Sequence, residues 1–455
     1  MTTKTQVMRR VAAVTVVATS LGACDFISPV ESNPNSVPEA TLDQLFTGAQ
    51  VVSFFVGTGG LSRITSIWTQ QMAGTDRQFA TFDAYTITDS DFSDEFDALY
   101  TQGGLVDIHN AIAQAEAAGR APYAGILKIH EAYLVGMHAS IFGDIPYSEA
   151  VSDVEDPALD DQAAVYAAVQ ALLDEAIADL AGTGLGPGAV DMNFGGDVAR
   201  WTAVAYTLKA RFHMHWAEVN GTPAYTAARD AALNGISTAA GAWRARFNDV
   251  QTETNMWAQF MVDRSGYVSS GDFLIPLMNA NADPRIGIYF SEDPDSPGDY
   301  TPRVSVLSET GYGAADYDLP LVTCAENQFI LAEAQYQLGN EPAARTAARA
   351  ALACEEATHG LTADALGSAS AFPGTLTGAA LLTEIMEQKY IAQFLVTDAF
   401  NDYKRTCLPA ITERAGGMPG RLFYSAQERQ SNSNVPPTGV DPNDKYNDND
   451  PTPCP

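Results

Sequence analysis

Apolar side chains recur at helical spacing along most of this chain, and the helical runs come in pairs joined by short turns. This pattern constrains the fold more than any single motif, because a helix with one apolar face must bury it against a neighbour. Leu42, Leu45, Phe46, Ala49 and Val52 mark the first run, over Thr41 to Phe55. Phe92 to Ala117 and Ala121 to Ile141 read as a pair around Gly119. Val165, Tyr166, Val169, Leu173, Ile177 and Leu180 trace a helix behind Asp160-Asp161-Gln162, an acidic start that suits the positive end of a helix dipole. Asp197 opens a run to Val219, and Thr222-Pro223 opens the next, with proline in a tolerated first-turn position. Runs at 321–338 and 341–357 flank the turn Gly339-Asn340, and a last run covers about 379–397.

The expected fold class is therefore mainly α. Ala332 to Leu352 is similar to one tetratricopeptide unit, and such helix pairs stack into a curved scaffold. Between 241 and 319 the periodicity fades, and Gly, Pro, Asp and Ser become common. Phe273-Leu274-Ile275-Pro276 and Ile286 to Phe290 read there as short strands or buried loops. A loop-rich insertion of this length, carrying little strand, is usually functional.

The first 23 residues carry Lys4, Arg9 and Arg10 and no acid, and then an apolar core from Val11 to Leu21. They read as a signal peptide, with a core about half the length a bilayer span needs. Leu21-Gly22-Ala23-Cys24 resembles the bacterial lipobox, in which the cysteine is acylated and becomes the new N-terminus. Residues 24–38, with Pro29, Pro34 and Pro38, read as a lipid-anchored tether, and 39–455 as a single helical domain with no second long apolar run. Cleavage takes the net charge from −31 to −34, which argues against nucleic acid and against adhesion to anionic lipid. Four cysteines remain, and three pairings are possible. Cys324 and Cys354 lie at comparable distances either side of the Gly339-Asn340 turn, so an antiparallel helix pair sets them facing each other. That pairing leaves Cys407 with Cys454.

Catalytic signatures are missing. There is no HExxH, GxSxG, P-loop or dinucleotide-binding glycine motif, and His213 and His215 are two apart on a helix, so they point in different directions. Asp89, Asp91, Asp94, Glu95 and Asp97 do not match a calcium loop, nor do Asp441, Asp444, Asp448 and Asp450, so neither a metal nor a cofactor is assigned. Two stretches crowd aromatic rings instead: Trp68, Phe79, Phe82, Tyr85 and Phe92, then Trp257, Phe260, Tyr267 and Phe273. The apolar face of a sugar stacks on such rings, while its hydroxyls need polar neighbours, and Gln70, Arg77, Asp83, Asp263 and Arg264 stand nearby in sequence. Core packing is the commoner fate of an aromatic ring. The candidates chosen for their chemistry are Trp68, Tyr85, Trp257, Arg264 and Tyr267.

Several segments, in order, resemble the SusD/RagB family of outer-membrane nutrient-binding lipoproteins. Gly143-Asp144-Ile145-Pro146-Tyr147-Ser148-Glu149-Ala150 is very similar to a family turn. Gly196-Asp197, Trp201 and Leu208-Lys209-Ala210-Arg211 follow, then Asp283-Pro284-Arg285 and a helix with Glu326, Phe329 and Ala332-Glu333. Gln388-Lys389-Tyr390, Asn401-Asp402-Tyr403, Arg405-Thr406 and Arg421-Leu422-Phe423-Tyr424 complete the set. The resemblance implies a tetratricopeptide-like scaffold anchored on the outer membrane and facing the exterior. It also implies a non-catalytic role: capturing an oligosaccharide and handing it to a TonB-dependent, SusC-like β-barrel transporter. A peptide-binding or scaffolding lipoprotein of the same fold is the alternative, and a surface glycoside hydrolase a more distant one.

Overall fold

The computed structural model describes residues 40–101, 103–436 and 447–454. The expected signal peptide, the Cys24 lipidation site and the tether lie outside the described residues, as do Asp441 and Asp444. The chain runs α1 (Leu42–Thr58), α2 (Gly60–Trp68), β1 (Met72–Gly74), α3 (Arg77–Asp83), α4 (Leu105–Ala117), α5 (Ala121–Phe142) and α6 (Gln162–Leu180). It continues through α7 (Val198–His215), α8 (Thr222–Ala232), β2 (Trp243–Ala245), α9 (Met256–Asp263), β3 (Val268–Ser270) and β4 (Leu319–Val322). The last elements are α10 (Cys324–Gln337), α11 (Glu341–Thr358), α12 (Gly378–Ala392) and α13 (Asp398–Thr406), with other short helices between.

Antiparallel pairs α5/α6, α7/α8 and α10/α11 make the tetratricopeptide-like body, and α8 packs on α10 to join two of them. Helix α5 is buried along its length from Pro122 to Phe142, as expected of a helix that is apolar all round. It can approach α7 closely because Gly136 has no side chain: a Cβ there would lie 2.3 Å from the Phe212 ring. The run Leu42–Trp68 is apolar enough on composition alone to cross a membrane. This corrects the expectation of no second apolar run, yet most of its side chains are buried within the fold and it divides at Gly59-Gly60.

Other expectations differ at their edges. The helix expected over Phe92 to Ala117 is two, Ser93–Asp97 and α4, because Gly103 takes φ +93° and Gly104 packs where a Cβ would sit 2.1 Å from the Leu99 carbonyl. The helix expected from Leu321 begins at Cys324 instead. Residues 319–322 are a strand, and Thr323 with Glu326 forms a reciprocal capping box that fixes the start. Phe273–Pro276 and Ile286–Phe290 are not strands, since Leu274–Ala280 and Ile286–Tyr289 are helical. Only two-stranded sheets are present among the described residues, β1 with β3 and β2 with β4.

The motif segments form buried polar clamps. After α5, Gly143 turns the chain at φ +82° and Asp144 accepts the backbone N–H of Gln162 at 2.8 Å, covering the exposed start of α6. Asp160 accepts N–H bonds from Tyr147 and Ser148 at 2.9 and 2.7 Å, closing the loop. Arg211 meets Glu326 at 2.5 and 2.7 Å and Asp398 at 3.0 Å, all three fully enclosed. Burial pushes the Asp398 carboxyl up, but Arg211 and His215 outweigh it and hold it far below the usual range. Glu333 takes Arg405 at 2.5 and 2.9 Å, and Lys389 bridges it to Asp402. Arg285 meets Asp283 at 2.6 Å, Glu355 at 3.2 Å and Gln388 at 3.0 Å. Disulfides join Cys324 to Cys354 across α10/α11 and Cys407 to Cys454 near the C-terminus, with Cα separations of 5.8 and 5.4 Å.

Candidate functional site

The two aromatic-rich stretches meet through β1 and β3, which pair antiparallel with Met72 opposite Ser270 and Gly74 opposite Val268. Beyond the ladder, the Thr75 N–H and hydroxyl donate to the Tyr267 and Gly266 carbonyls at 2.8 and 2.7 Å. Gly74 is required where it stands, because a Cβ would lie 1.8 Å from the Phe79 carbonyl oxygen. That close approach folds α3 back onto the strand. Asp76 caps α3, accepting the Arg77 N–H at 2.9 Å.

The side chains then converge. Phe79 lies 5.0 Å from Phe260 and 6.2 Å from Tyr267, centroid to centroid. The Arg77 guanidinium sits 5.8 Å above the Tyr267 ring, and that of Arg63 sits 4.8 Å above Phe260. Each aromatic pair contributes about 0.5–1.5 kcal/mol beyond its burial, and an exposed cation–π pair about 0.5–1. Tyr267 is half-buried, and Arg77 and Arg264 are exposed. Arg264 makes one long contact, to the Asp263 carbonyl at 3.3 Å.

At the other end of β3 lies a polar cluster. Arg303 forks onto Asp272 at 2.6–2.9 Å and reaches Asp83 at 2.8 Å, while Arg414 meets Asp272 at 2.5 Å. Burial pushes the Asp272 carboxyl up, but hydrogen bonds from Arg303 and Arg414 outweigh it and hold the group below its usual value. The cluster faces solvent in part, Arg303 being 38% exposed and Asp272 28%. Forked donors beside carboxylate acceptors suit sugar hydroxyls.

Of the five candidates named from sequence, the structure brings Arg264 and Tyr267 to this surface and takes the other three inside. Trp68 is fully buried, with its ring 5.4 Å from Phe400. Tyr85 is 2% exposed and donates its hydroxyl to the Trp68 carbonyl at 3.0 Å. Burial pushes its phenol up to about 12. Trp257 is fully buried and donates its indole N–H to Ser62 at 3.0 Å. Assigning Trp68, Tyr85 and Trp257 to a ligand is thus corrected: their faces are occupied by protein. Arg63, Asp272, Arg303 and Arg414 went unnoticed in the sequence, being brought together from separate segments that no local pattern links.

The SusD-like family model described as "Starch-binding associating with outer membrane" matches residues 34–424. A SusD/RagB family protein from Bacteroides thetaiotaomicron superposes with a TM-score of 0.70 at 20% identity, over 87% of this chain and 95% of that one. A chitin-binding SusD homologue from Flavobacterium johnsoniae gives 0.73 at 20%, over 86% and 92%. A SusD homologue from Bacteroides fragilis gives 0.69 at 21%, over 87% and 94%. At these identities the likeness shows the fold alone. No curated protein matches the sequence.

Proposed function

The chain belongs to the SusD-like family described as starch-binding and associating with the outer membrane, and from that premise we propose that it is a non-catalytic, surface glycan-binding lipoprotein. In this reading Cys24 carries the lipid, the body faces the exterior, and captured oligosaccharide passes to a TonB-dependent transporter. The observation that carries it is the half-buried Tyr267 ring, packed near the buried Phe79 and the half-buried Phe260, with the exposed Arg77 guanidinium over it and the exposed Arg264 three residues away in the chain. A half-buried ring with an exposed guanidinium near it offers a sugar both apolar surface and hydrogen-bond donors. The chitin-binding relative of the same fold adds support for a glycan as ligand.

Binding without turnover fits the local chemistry. Hydrolysis needs one carboxylic acid that keeps its proton near neutral pH. Asp272 is driven the other way by its two arginines.

The test is a glycan array run beside a matched peptide panel, with polysaccharide chain length followed over long incubation. Binding to at least one oligosaccharide with no shortening is expected. A blank array with a peptide bound instead would overturn the glycan reading, and shortening would overturn the non-catalytic one. Co-purification of the lipid-anchored protein with a TonB-dependent transporter tests the partner.

A further inference from the structure

Arg244 lies on β2 and Arg246 just past its end, and extended chain sends positions two apart to one face. Trp243 and Ala245, between and before them, are buried, so the two arginines come out on the solvent side, Arg244 half-buried and Arg246 exposed. Both border an open groove of about 680 Å³, with Tyr317 and Asp318 ahead of β4 and Thr358 at the end of α11. Ala239, Ala240 and Ala357 also line it, and their small side chains leave it open.

The two guanidinium groups are not equally engaged. Arg246 meets the Asp318 carboxylate at 2.5 Å, and the same carboxylate accepts the Phe247 N–H at 3.0 Å. Arg244 reaches only the Asp318 carbonyl, at a long 3.3 Å, and has no ion-pair partner among the described residues. Asp318 is the one acid in the lining, so the groove carries surplus positive charge. In a chain with 56 acidic residues to 25 basic ones a carboxylate is the easiest partner to supply, and Arg244 has none. A guanidinium presents paired N–H donors whose spacing matches a carboxylate. Tyr317 is half-buried, with its ring 4.7 Å from that of Tyr312. Burial pushes its phenol up, against the pull of Arg244, so it keeps its proton and can donate. The lining is thus rich in donors, with one carboxylate that is already occupied.

We propose that this groove binds the carboxylate of an acidic oligosaccharide, a uronate forked by Arg244 and flanked by Arg246, with the sugar hydroxyls meeting Tyr317 and Thr358. The choice of a sugar as carrier of the carboxylate rests on the reading of the protein as a glycan binder. The site itself uses none of the residues around Tyr267. A neutral sugar would leave the Arg244 charge without a counterpart, and a cation would be repelled by both arginines.

Hexagalacturonate, maltohexaose, hexaglutamate and inorganic phosphate are the probes, each titrated calorimetrically into the full-length mature protein. Hexagalacturonate is expected to bind, and less tightly as salt is added, because the groove is open to solvent. Arg244→Gln should weaken it about tenfold. Arg246→Gln should weaken it about two- to fivefold, since that charge is exposed and already shared with Asp318. Arg244→Lys keeps the charge and loses the fork, and should fall between wild type and Arg244→Gln. The exposed position of Arg246 guards against a folding artefact. Hexagalacturonate binding lost in Tyr267→Ala and unchanged in Arg244→Gln overturns the groove and leaves the first reading intact. Binding of maltohexaose without hexagalacturonate does the same. Arg244-dependent binding of phosphate or hexaglutamate, as tight as that of hexagalacturonate, overturns the sugar as carrier. Failure of all four to bind overturns the groove outright.

Discussion

Two groups of arginine–carboxylate pairs in this protein share their chemistry and differ in their setting. Arg211, Glu326 and Asp398 are sealed between α7, α10 and α13. Arg303, Arg414, Asp272 and Asp83 lie at the edge of β3 with solvent on one side. Water decides what each group can do. In the interior a charge that loses its partner has no substitute, so the pairing fixes which helices meet and in what register. At the surface water replaces a lost partner, so the same groups contribute little stability and remain available to a ligand.

Truncating the buried arginine is the severest test of that contrast. Arg211→Ala leaves the Glu326 and Asp398 carboxylates buried without their guanidinium. The expected loss is about 3–5 kcal/mol, read as a lower denaturant midpoint or as loss of soluble protein. A change below about 1 kcal/mol would mean that the interior accommodates water, and the contrast would collapse.

Acid should separate the two regions next. His130 on α5 is fully buried, with Nδ1 2.8 Å from the Ser53 hydroxyl and Nε2 without a hydrogen-bond partner among the described residues. Burial pushes its imidazole down to about 4, against the pull of Asp191. Its folded value therefore lies below that of the unfolded chain, about 6.5. As pH falls the unfolded state takes the proton first. The stability is complete above about 6.5 and drains away as pH drops toward 4, by roughly 3 kcal/mol. His130→Gln should flatten that slope in urea unfolding. Glycan binding around Tyr267 should stay level between pH 7.5 and 6, since it relies on arginines and on an Asp272 carboxyl already held low. An equal pH slope in binding would place a titrating group at the surface after all.

The same contrast explains what was legible in the sequence. The segments that carried the family resemblance, such as Lys209-Ala210-Arg211, Glu326 to Glu333 and Asp402 to Arg405, are the buried clamps. A buried charge requires one particular partner, so its position in the chain is recognisable. Helix pairing was legible for a similar reason, since apolar period follows directly from burial. The surface was only half legible. Arg264 and Tyr267 stood out by chemistry, but so did Trp68, Tyr85 and Trp257, and sequence spacing does not distinguish a ring facing inward from one facing outward. Arg303, Arg414 and Asp272 lie in segments with no period at all, and only β1–β3 pairing and its surroundings bring them together.

Tyr267→Ala tests the surface at intermediate scale. Phe79 and Phe260 hold each other without it, so thermal unfolding should shift little. Glycan affinity should fall by about 1–2 kcal/mol, roughly five- to thirtyfold. A large loss of stability with unchanged affinity would move Tyr267 into the category of Trp68 and Trp257, rings that serve packing.

The smallest expected effect is the most discriminating, because it applies the Arg211 substitution to the exposed group. Arg303→Ala removes a forked pair to Asp272 and a contact to Asp83. By distance alone it matches the Arg211 pairs, so a view that counted contacts would predict an equal loss. Arg303 is more than one-third exposed, Arg414 remains on Asp272, and salt screens what is left. Stability should fall by less than about 1 kcal/mol, and by less still in high salt. Loss on the scale of Arg211→Ala would show that the polar cluster at β3 is scaffold, with the hydroxyl-binding role left to Arg77 and Arg264 alone.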